Sequence, residues 1–368
     1  MKRDLPAALA QSHNTVTVSS RAIDVGYANT KFTVGRKKVN GETVIVADLF
    51  PSITAVLPKG RPFERKAGTR ASDGCLTEID GVLHFAGRGV PMHLKGSQPR
   101  HVLPNYCMTP AYMALMHGAM HYMLEDVGNP RELVIEHLGL GLPLNTHYEY
   151  KEKLRQSAIG THVLGGPEDP LGVRTVRVLD ADVMVQPLGA LMNYGMANKG
   201  AGLRGWSLVV DVGGGTIDYL VSLEREPNHT RSGAHPESML QCAYAVAQQI
   251  NPSYQNNFTV IEAIDAAIRT RSATVRIAGV DLEMADYKGT VDEVLRRGYD
   301  AMLSDVGDLS DFDTILVCGG GGSVFYDFLC EVAPELKRRL KCDPGSAFSN
   351  VRGFQLASEF VSVQGMTK

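Results

Sequence analysis

The sequence predicts an α/β fold built twice around a central cleft, on three observations. Two glycine-bearing strand turns, AIDVGYANTKFTV (Ala22 to Val34) and VVDVGGGTIDYLV (Val209 to Val221), lie about half a chain apart. Each runs from an apolar strand through an Asp and a Gly-containing turn into a second apolar strand. Strand hairpins come first and helices afterwards in both halves, and 368 residues suit two domains of ordinary size. The halves share this order but little residue identity, so the repeat is architectural.

Along the chain, residues 1 to about 18 read as a tail. RAIDVGY, TKFTVGR and ETVIVADLF then alternate or run apolar, with Gly26, Asn29, Asn40 and Gly41 at the bends, as in a meander of three strands. Residues 51 to 104 are rich in Pro, Gly and Arg and read as a small inserted subdomain, with a short strand pair around Leu76 to Gly87. From Thr109 to Val127 the chain is apolar on nearly every side, which predicts a helix buried between layers, with Pro110 at its start. LVIEHLGLGLPL is a buried strand and loop, a charged helix follows near Tyr148 to Ser157, and RTVRVLDADVMV returns to strand. QPLGALMNYGMANKG begins a helix with Pro187 in its first turn, and a Gly-rich break at Gly200 to Gly205 marks a boundary. Strands at Ser207 to Val212 and Ile217 to Leu223 open the second half. Helices in Glu237 to Ile250, Thr259 to Thr270 and Asp286 to Ser304 come next, then the strand TILVCGG and a helix from about Ser323 to Val332. The expected division is residues 19–198 plus 350–368 against residues 199–349.

Composition narrows the function classes. With 44% apolar residues, 21% charged residues and a net charge of -3, the chain has no global attraction for nucleic acid. The basic runs Arg36 to Lys38 and Lys337 to Lys341 read as a turn and a helix end rather than a DNA-binding surface. Six scattered cysteines form neither a disulfide framework nor a zinc site, which fits a reducing cytoplasm. No run has the length of a membrane span, and MKRDLPAALAQSHNT lacks the apolar stretch of a signal peptide.

Three glycine-rich turns carry the candidate chemistry. In DVGYANTK, Asp24 ends a strand and Gly26 lets the backbone turn, so amides across Gly26, Tyr27, Ala28 and Asn29 and the Lys31 ammonium can face one anion. A hairpin with a polar turn would read the same way. DVGGGTID is sharper, because three consecutive glycines do nothing for strand packing. Close backbone approach to a ligand accounts for them, with the amides of Gly213, Gly214, Gly215 and Thr216 and the Thr216 hydroxyl turned toward phosphate. In ILVCGGGGSVFYDFL the turn Gly319, Gly320, Gly321, Gly322 leads into a helix at Ser323, leaving room for a flat ring or a phosphate. Asp24 and Asp211 offer the hard oxygen ligands that Mg²⁺ takes, directly or through water. Gln186 can orient an attacking water, since phosphoryl transfer depends on positioning and charge neutralisation more than on a strong base. Asp218 reads equally well as structural.

Taken in order, DVGYANTK, VQPLGALMNYG, DVGGGTID, VCGGGGSVF and SNVRGF resemble the phosphate-1, connect-1, phosphate-2, adenosine and connect-2 motifs of the actin, sugar-kinase and heat-shock ATPase superfamily. Within it the chain resembles the ParM/StbA-type plasmid-segregation ATPases, including the PRTRC-system variant. The resemblance implies an actin-like pair of RNase-H-like domains around a nucleotide cleft. It implies ATP, with GTP as the alternative, and Mg²⁺ held by Asp24 and Asp211 through water. Lys31 would contact phosphate, and Gln186 and Asp211 would be catalytic, Gln186 taking the hinge position that is a carboxylate in ParM and Gln in actin. Tyr27 departs from the Ser or Thr of many relatives. The implied function is an ATPase forming head-to-tail filaments that position plasmid DNA through a DNA-binding adaptor. A sugar or small-molecule kinase is the competing class, because the same fold can pass the terminal phosphate to a hydroxyl. The ending VSVQGMTK adds neither a peptide-binding domain nor a basic amphipathic helix, which disfavours a chaperone or a membrane-tethered scaffold.

Overall fold

The structure, a computed structural model, describes residues 14–57, 73–94, 103, 105–166, 169–200, 204–224, 226–343 and 345–365. The start of the expected tail, much of the expected insertion and residues 201–203 of the Gly-rich break lie outside the described residues.

The opening meander is β1 (Thr15–Val25), β2 (Asn29–Val39) and β3 (Glu42–Pro51). β1 starts inside the segment read as a tail: TVTV alternates, and Thr15 to Val18 pair in parallel with residues from Glu132 to Ile135. The insertion contributes β4 (Thr54–Val56), β5 (Cys75–Ile79) and β6 (Val82–Ala86), an antiparallel sheet in the order β4-β6-β5. α1 (Pro110–Asp126) packs between this small sheet and the main one, so its Tyr112, Leu115, Met116, Met120 and Met123 are all buried and it needs no polar face. Thr109 caps it, its hydroxyl accepting from the Tyr112 amide at 3.2 Å.

β7 (Glu132–Leu142), α2 (Leu144–Ala158), β8 (Gly160–Leu164) and β9 (Arg174–Val185) complete a six-stranded sheet in the order β3-β2-β1-β7-β9-β8. α3 (Gln186–Ala197) then crosses to the second half, where β10 (Trp206–Val212), β11 (Ile217–Leu223), β12 (Glu226–Pro227) and β13 (Gly233–His235) follow. Next come α4 (Met239–Ile250), α5 (Phe258–Thr270), the hairpin β14 (Thr274–Ile277) and β15 (Val280–Glu283), and α6 (Lys288–Val306). β16 (Thr314–Cys318), α7 (Gly322–Val332), β17 (Leu340–Cys342) and α8 (Ser349–Gly365) are the last elements among the described residues.

The second sheet runs β12-β11-β10-β16-β17, with β13 also on β11. The two sheets repeat one plan, an antiparallel hairpin (β1/β2, β10/β11) whose first strand continues into parallel neighbours (β7 and β9, β16 and β17). One core lies under each sheet. α3 follows the first sheet but shares a buried cluster with the second, Ala190 and Leu191 meeting Val209, Leu220 and Leu316. α8 lies back on β1 and β7 of the first. α3 and α8 therefore cross at the junction. Members of both basic runs are engaged within the fold: Arg36 pairs bidentately with Glu359, Lys37 pairs with Asp126, and Arg339 donates to the Leu309, Ser310 and Phe312 carbonyls. Among the described residues no helix is long and apolar enough to cross a membrane.

Candidate functional site

The repeat places the two motif carboxylates at equivalent ladder positions with different partners. On the first hairpin Asp24 faces Lys31, and on the second Asp211 faces Asp218. One hairpin therefore carries an ion pair and the other two like charges. The Lys31 ammonium donates to Asp24 Oδ2 at 2.9 Å. Burial opposes the charge on Lys31, but Asp24 and Asp211 outweigh it and raise the pKa, so one ammonium answers carboxylates from both halves.

A cleft holding about 770 Å³ of open space, solvent at its mouth included, runs between the turns. Of the residues expected there, Gly26, Tyr27, Ala28, Asn29, Lys31, Gln186, Asp211, Gly213, Gly214, Gly215, Thr216, Gly320 and Gly321 line it. Asp24, Gly319, Gly322 and Ser323 do not. Asp24 is fully buried, with Oδ2 on Lys31 and Oδ1 accepting from Gln186 Nε2 at 2.7 Å. Gly319, at φ +87°, lies beneath Asp211, where an added Cβ would come within 2.3 Å of Oδ1. Gly322 begins α7, and the Ser323 carbonyl accepts from Arg271.

The backs of the turns are pinned, which turns their fronts to the cleft. Ser238, preceding α4, donates its hydroxyl to the Gly213 and Thr216 carbonyls, and the Leu240 amide donates to the Gly214 carbonyl at 2.9 Å. Among the described residues, the Gly214 and Gly215 amides have no protein acceptor. The glycines have a second cause that the sequence did not reveal. An added Cβ would lie 2.4 Å from Ala28 Cβ at Gly214 and 2.4 Å from the Tyr27 ring at Gly215. The two loops touch each other across the cleft, and only glycine allows that approach.

Asp211 Oδ2 accepts from Asn350 Nδ2 at 2.6 Å, while Oδ1 is buried with no hydrogen-bond partner. Burial pushes the Asp211 pKa up, against the pull of Lys31 and Asn350. An orphaned carboxylate oxygen beside an ammonium and unpaired amides fits a hard cation with its phosphate. Asp24 fits only an indirect role, because both its oxygens are taken. Asn350, Tyr106, Tyr112, Met239, Asp265 and Arg269 also reach the site and were missed. SNVRGF contained Asn350, but nothing local marked the side chain. Asp265 and Arg269 form an i,i+4 pair on α5, a pattern that reads as an ordinary surface ion pair.

Asp218 accepts from the Thr216 hydroxyl at 2.6 Å and, across the cleft, from the Leu144 amide at 3.1 Å. Burial, with Asp211 beside it, pushes its pKa to about 7 from the usual 3.8. The folded protein therefore holds a proton that the unfolded chain releases between these values. Stability falls as pH rises through that window and levels off above it. Asp218→Asn keeps the shape and is expected to flatten the slope between pH 4 and 7, with a ceiling of ~4 kcal/mol. Denaturant midpoints of both proteins across that range check this, and parallel profiles would refute it.

Residues 22–189 match the family described as actin like proteins N terminal domain. No curated protein matches the chain. Among solved structures, the archaeal actin homolog Ta0583 is 20% identical, with TM-score 0.69 over 93% of this chain and 99% of that one. Ta0583 has also been solved in complex with ADP. A non-polymerisable quadruple mutant of pCBH ParM is 17% identical, with TM-score 0.68 over 94% and 100% of the two chains. Bacillus thuringiensis ParM with ATP is 15% identical, with TM-score 0.64 over 93% and 98%. The fold is that of the actin homologues.

Proposed function

We propose that this actin-like protein binds a nucleoside triphosphate, ATP or GTP, with Mg²⁺ in the cleft and hydrolyses it to control head-to-tail self-association. The observation that carries the reading is the meeting of Asp24, Lys31 and Gln186 from one hairpin and hinge with Asp211 from the other, between glycine turns whose amides lack acceptors. The parts divide as phosphoryl transfer requires. The Gly214 and Gly215 amides and Lys31 take phosphate oxygens, and Asp211, with Asp24 behind Lys31, holds the hydrated magnesium. Bound magnesium supplies charge neutralisation on the phosphates. Gln186 donates one amide hydrogen to Asp24, which leaves its carbonyl oxygen to orient a water. Gly320 and Gly321, with Met239 and Arg269 nearby, form the wall for the nucleoside.

A ligand-driven change in how the two lobes meet, residues 19–198 plus 350–368 against 199–349, would bias a heterologous contact that extends into a filament. Plasmid positioning through a DNA-binding adaptor is the use that the motif resemblance favours. The kinase alternative needs a free carboxylate as base. Asp218 is the candidate on the cleft wall, and both its oxygens are engaged.

Phosphate release and light scattering, measured on the full chain with Mg²⁺ and ATP or GTP but no acceptor, test this reading. Turnover with nucleotide-dependent scattering is expected, and a requirement for a hydroxyl substrate would instead establish the kinase. In the same assay Gln186→Ala should slow turnover about 10- to 100-fold with nucleotide affinity changed far less. Equal losses in both would assign Gln186 to packing.

A further inference from the structure

We infer that Tyr27 sets the discrimination between nucleoside tri- and diphosphates in this cleft and passes the result to the segment around Leu103 and Tyr106. The inference rests on the proposed function and deepens it. Tyr27 sits at the tip of the first glycine turn, between Gly26 and Ala28, and its ring crosses to the second lobe. There the ring lies so close to Gly215 that an added Cβ would come 2.4 Å from Tyr27 Cδ2 and 2.7 Å from Cγ. Beside it, Ala28 rests on Gly214 in the same way. The two turns that would embrace a terminal phosphate are therefore in van der Waals contact with each other.

The ring is also held from the first lobe. It stacks on Tyr106 with centroids 5.0 Å apart and planes 22° from parallel, and its hydroxyl donates to the Leu103 carbonyl at 3.0 Å. Tyr106 in turn packs edge-on against Tyr112 of α1, which is fully buried and fixed. A Ser or Thr at position 27 could touch a phosphate and displace nothing. A tyrosine ring against Gly215 occupies the gap. A terminal phosphate entering between the turns must separate Ala28 from Gly214 and Tyr27 from Gly215. The ring can then swing only by giving up the Leu103 hydrogen bond or by carrying Tyr106 with it. A diphosphate lacks the group that enters this gap and leaves the ring in place.

The cost of opening falls on the triphosphate alone, and an aromatic stack with one neutral hydrogen bond corresponds to a factor of about 10 in affinity. The test uses the full chain with Mg²⁺, ADP and a slowly hydrolysed ATP analogue, each competed against a fluorescent nucleotide. Tyr27→Ala should tighten analogue binding about tenfold and change ADP binding less than about twofold. Tyr27→Phe, which loses only the hydroxyl bond, should fall between. In the wild-type protein the analogue, but not ADP, should speed hydrogen exchange in peptides covering residues 103–108. In Tyr27→Ala that exchange should be fast with either ligand. An unchanged analogue-to-ADP ratio in Tyr27→Ala, or wild-type exchange at 103–108 that ignores the analogue, overturns the inference. Should Tyr27→Ala fail to fold, Tyr27→Phe and the wild-type exchange decide it. If neither nucleotide binds the wild-type protein, the functional reading fails first, which separates the two failures.

Discussion

Asp211→Asn is expected to lower magnesium-dependent nucleotide turnover by about 100-fold or more, with thermal stability unchanged or raised. The two effects have one cause. Asp211 is the penultimate residue of β10, with Asp218 opposite it and Cys318 on the parallel strand beside it, so the carboxylate is enclosed on its own sheet. Burial disfavours its charge, against the pull of Lys31 and Asn350, and one oxygen has no partner. Such a group costs folding free energy and is retained for a task outside the fold. The amide variant removes the charge and keeps the shape, and its side-chain oxygen can still accept from Asn350. Phosphate release with a parallel melting curve checks the prediction. Wild-type turnover would remove the assigned role, and a fall in melting temperature matching the loss of activity would make Asp211 structural.

The two hairpins and their carboxylates were legible because their signals are local. Asp near a strand end followed by glycine marks the turn, and of the two carboxylates Asp211 lines the cleft while Asp24 is buried behind it. Asn350, Tyr106 and Asp265 reach the site through helix and segment packing that no spacing encodes. The β14/β15 hairpin was missed for a different reason. TVRIAGVDLE alternates like a strand pair, but its turn is Ala278-Gly279, both at positive φ, rather than the Asn-Gly or Asp-Gly that usually marks such a turn. β8 is a five-residue edge strand, too short for its alternation to stand out. The glycine triplet was read as a signal of close backbone approach to a ligand. What approaches in this structure is the opposite turn, with Tyr27 and Ala28, and this contact has no signature within DVGGGTID.

Gly353→Ala is expected to lower the melting temperature by about 2–3 °C and to weaken nucleotide binding. α3 and α8 cross at the junction of the lobes with their backbones in contact. A Cβ at Gly353 would lie 1.9 Å from the Gly189 carbonyl oxygen and 2.4 Å from its carbon, main-chain atoms that no side-chain rotation can move aside. Alanine also favours the helix, by about 1 kcal/mol over glycine, but a forced separation of two packed helices costs about 3 kcal/mol and wins. The damage should reach the cleft, because α8 carries Asn350 to Asp211, Phe354 onto Gly139 and Gly141, and Gln355 to Thr33 and Ser20. Displacing α8 withdraws Asn350 from the carboxylate while leaving the glycine turns intact. Thermal melts and nucleotide titration on the same sample decide the matter. A variant that melts within about 1 °C of wild type would show that the helices separate freely, and the crossing would then be a hinge with slack rather than a fixed pivot.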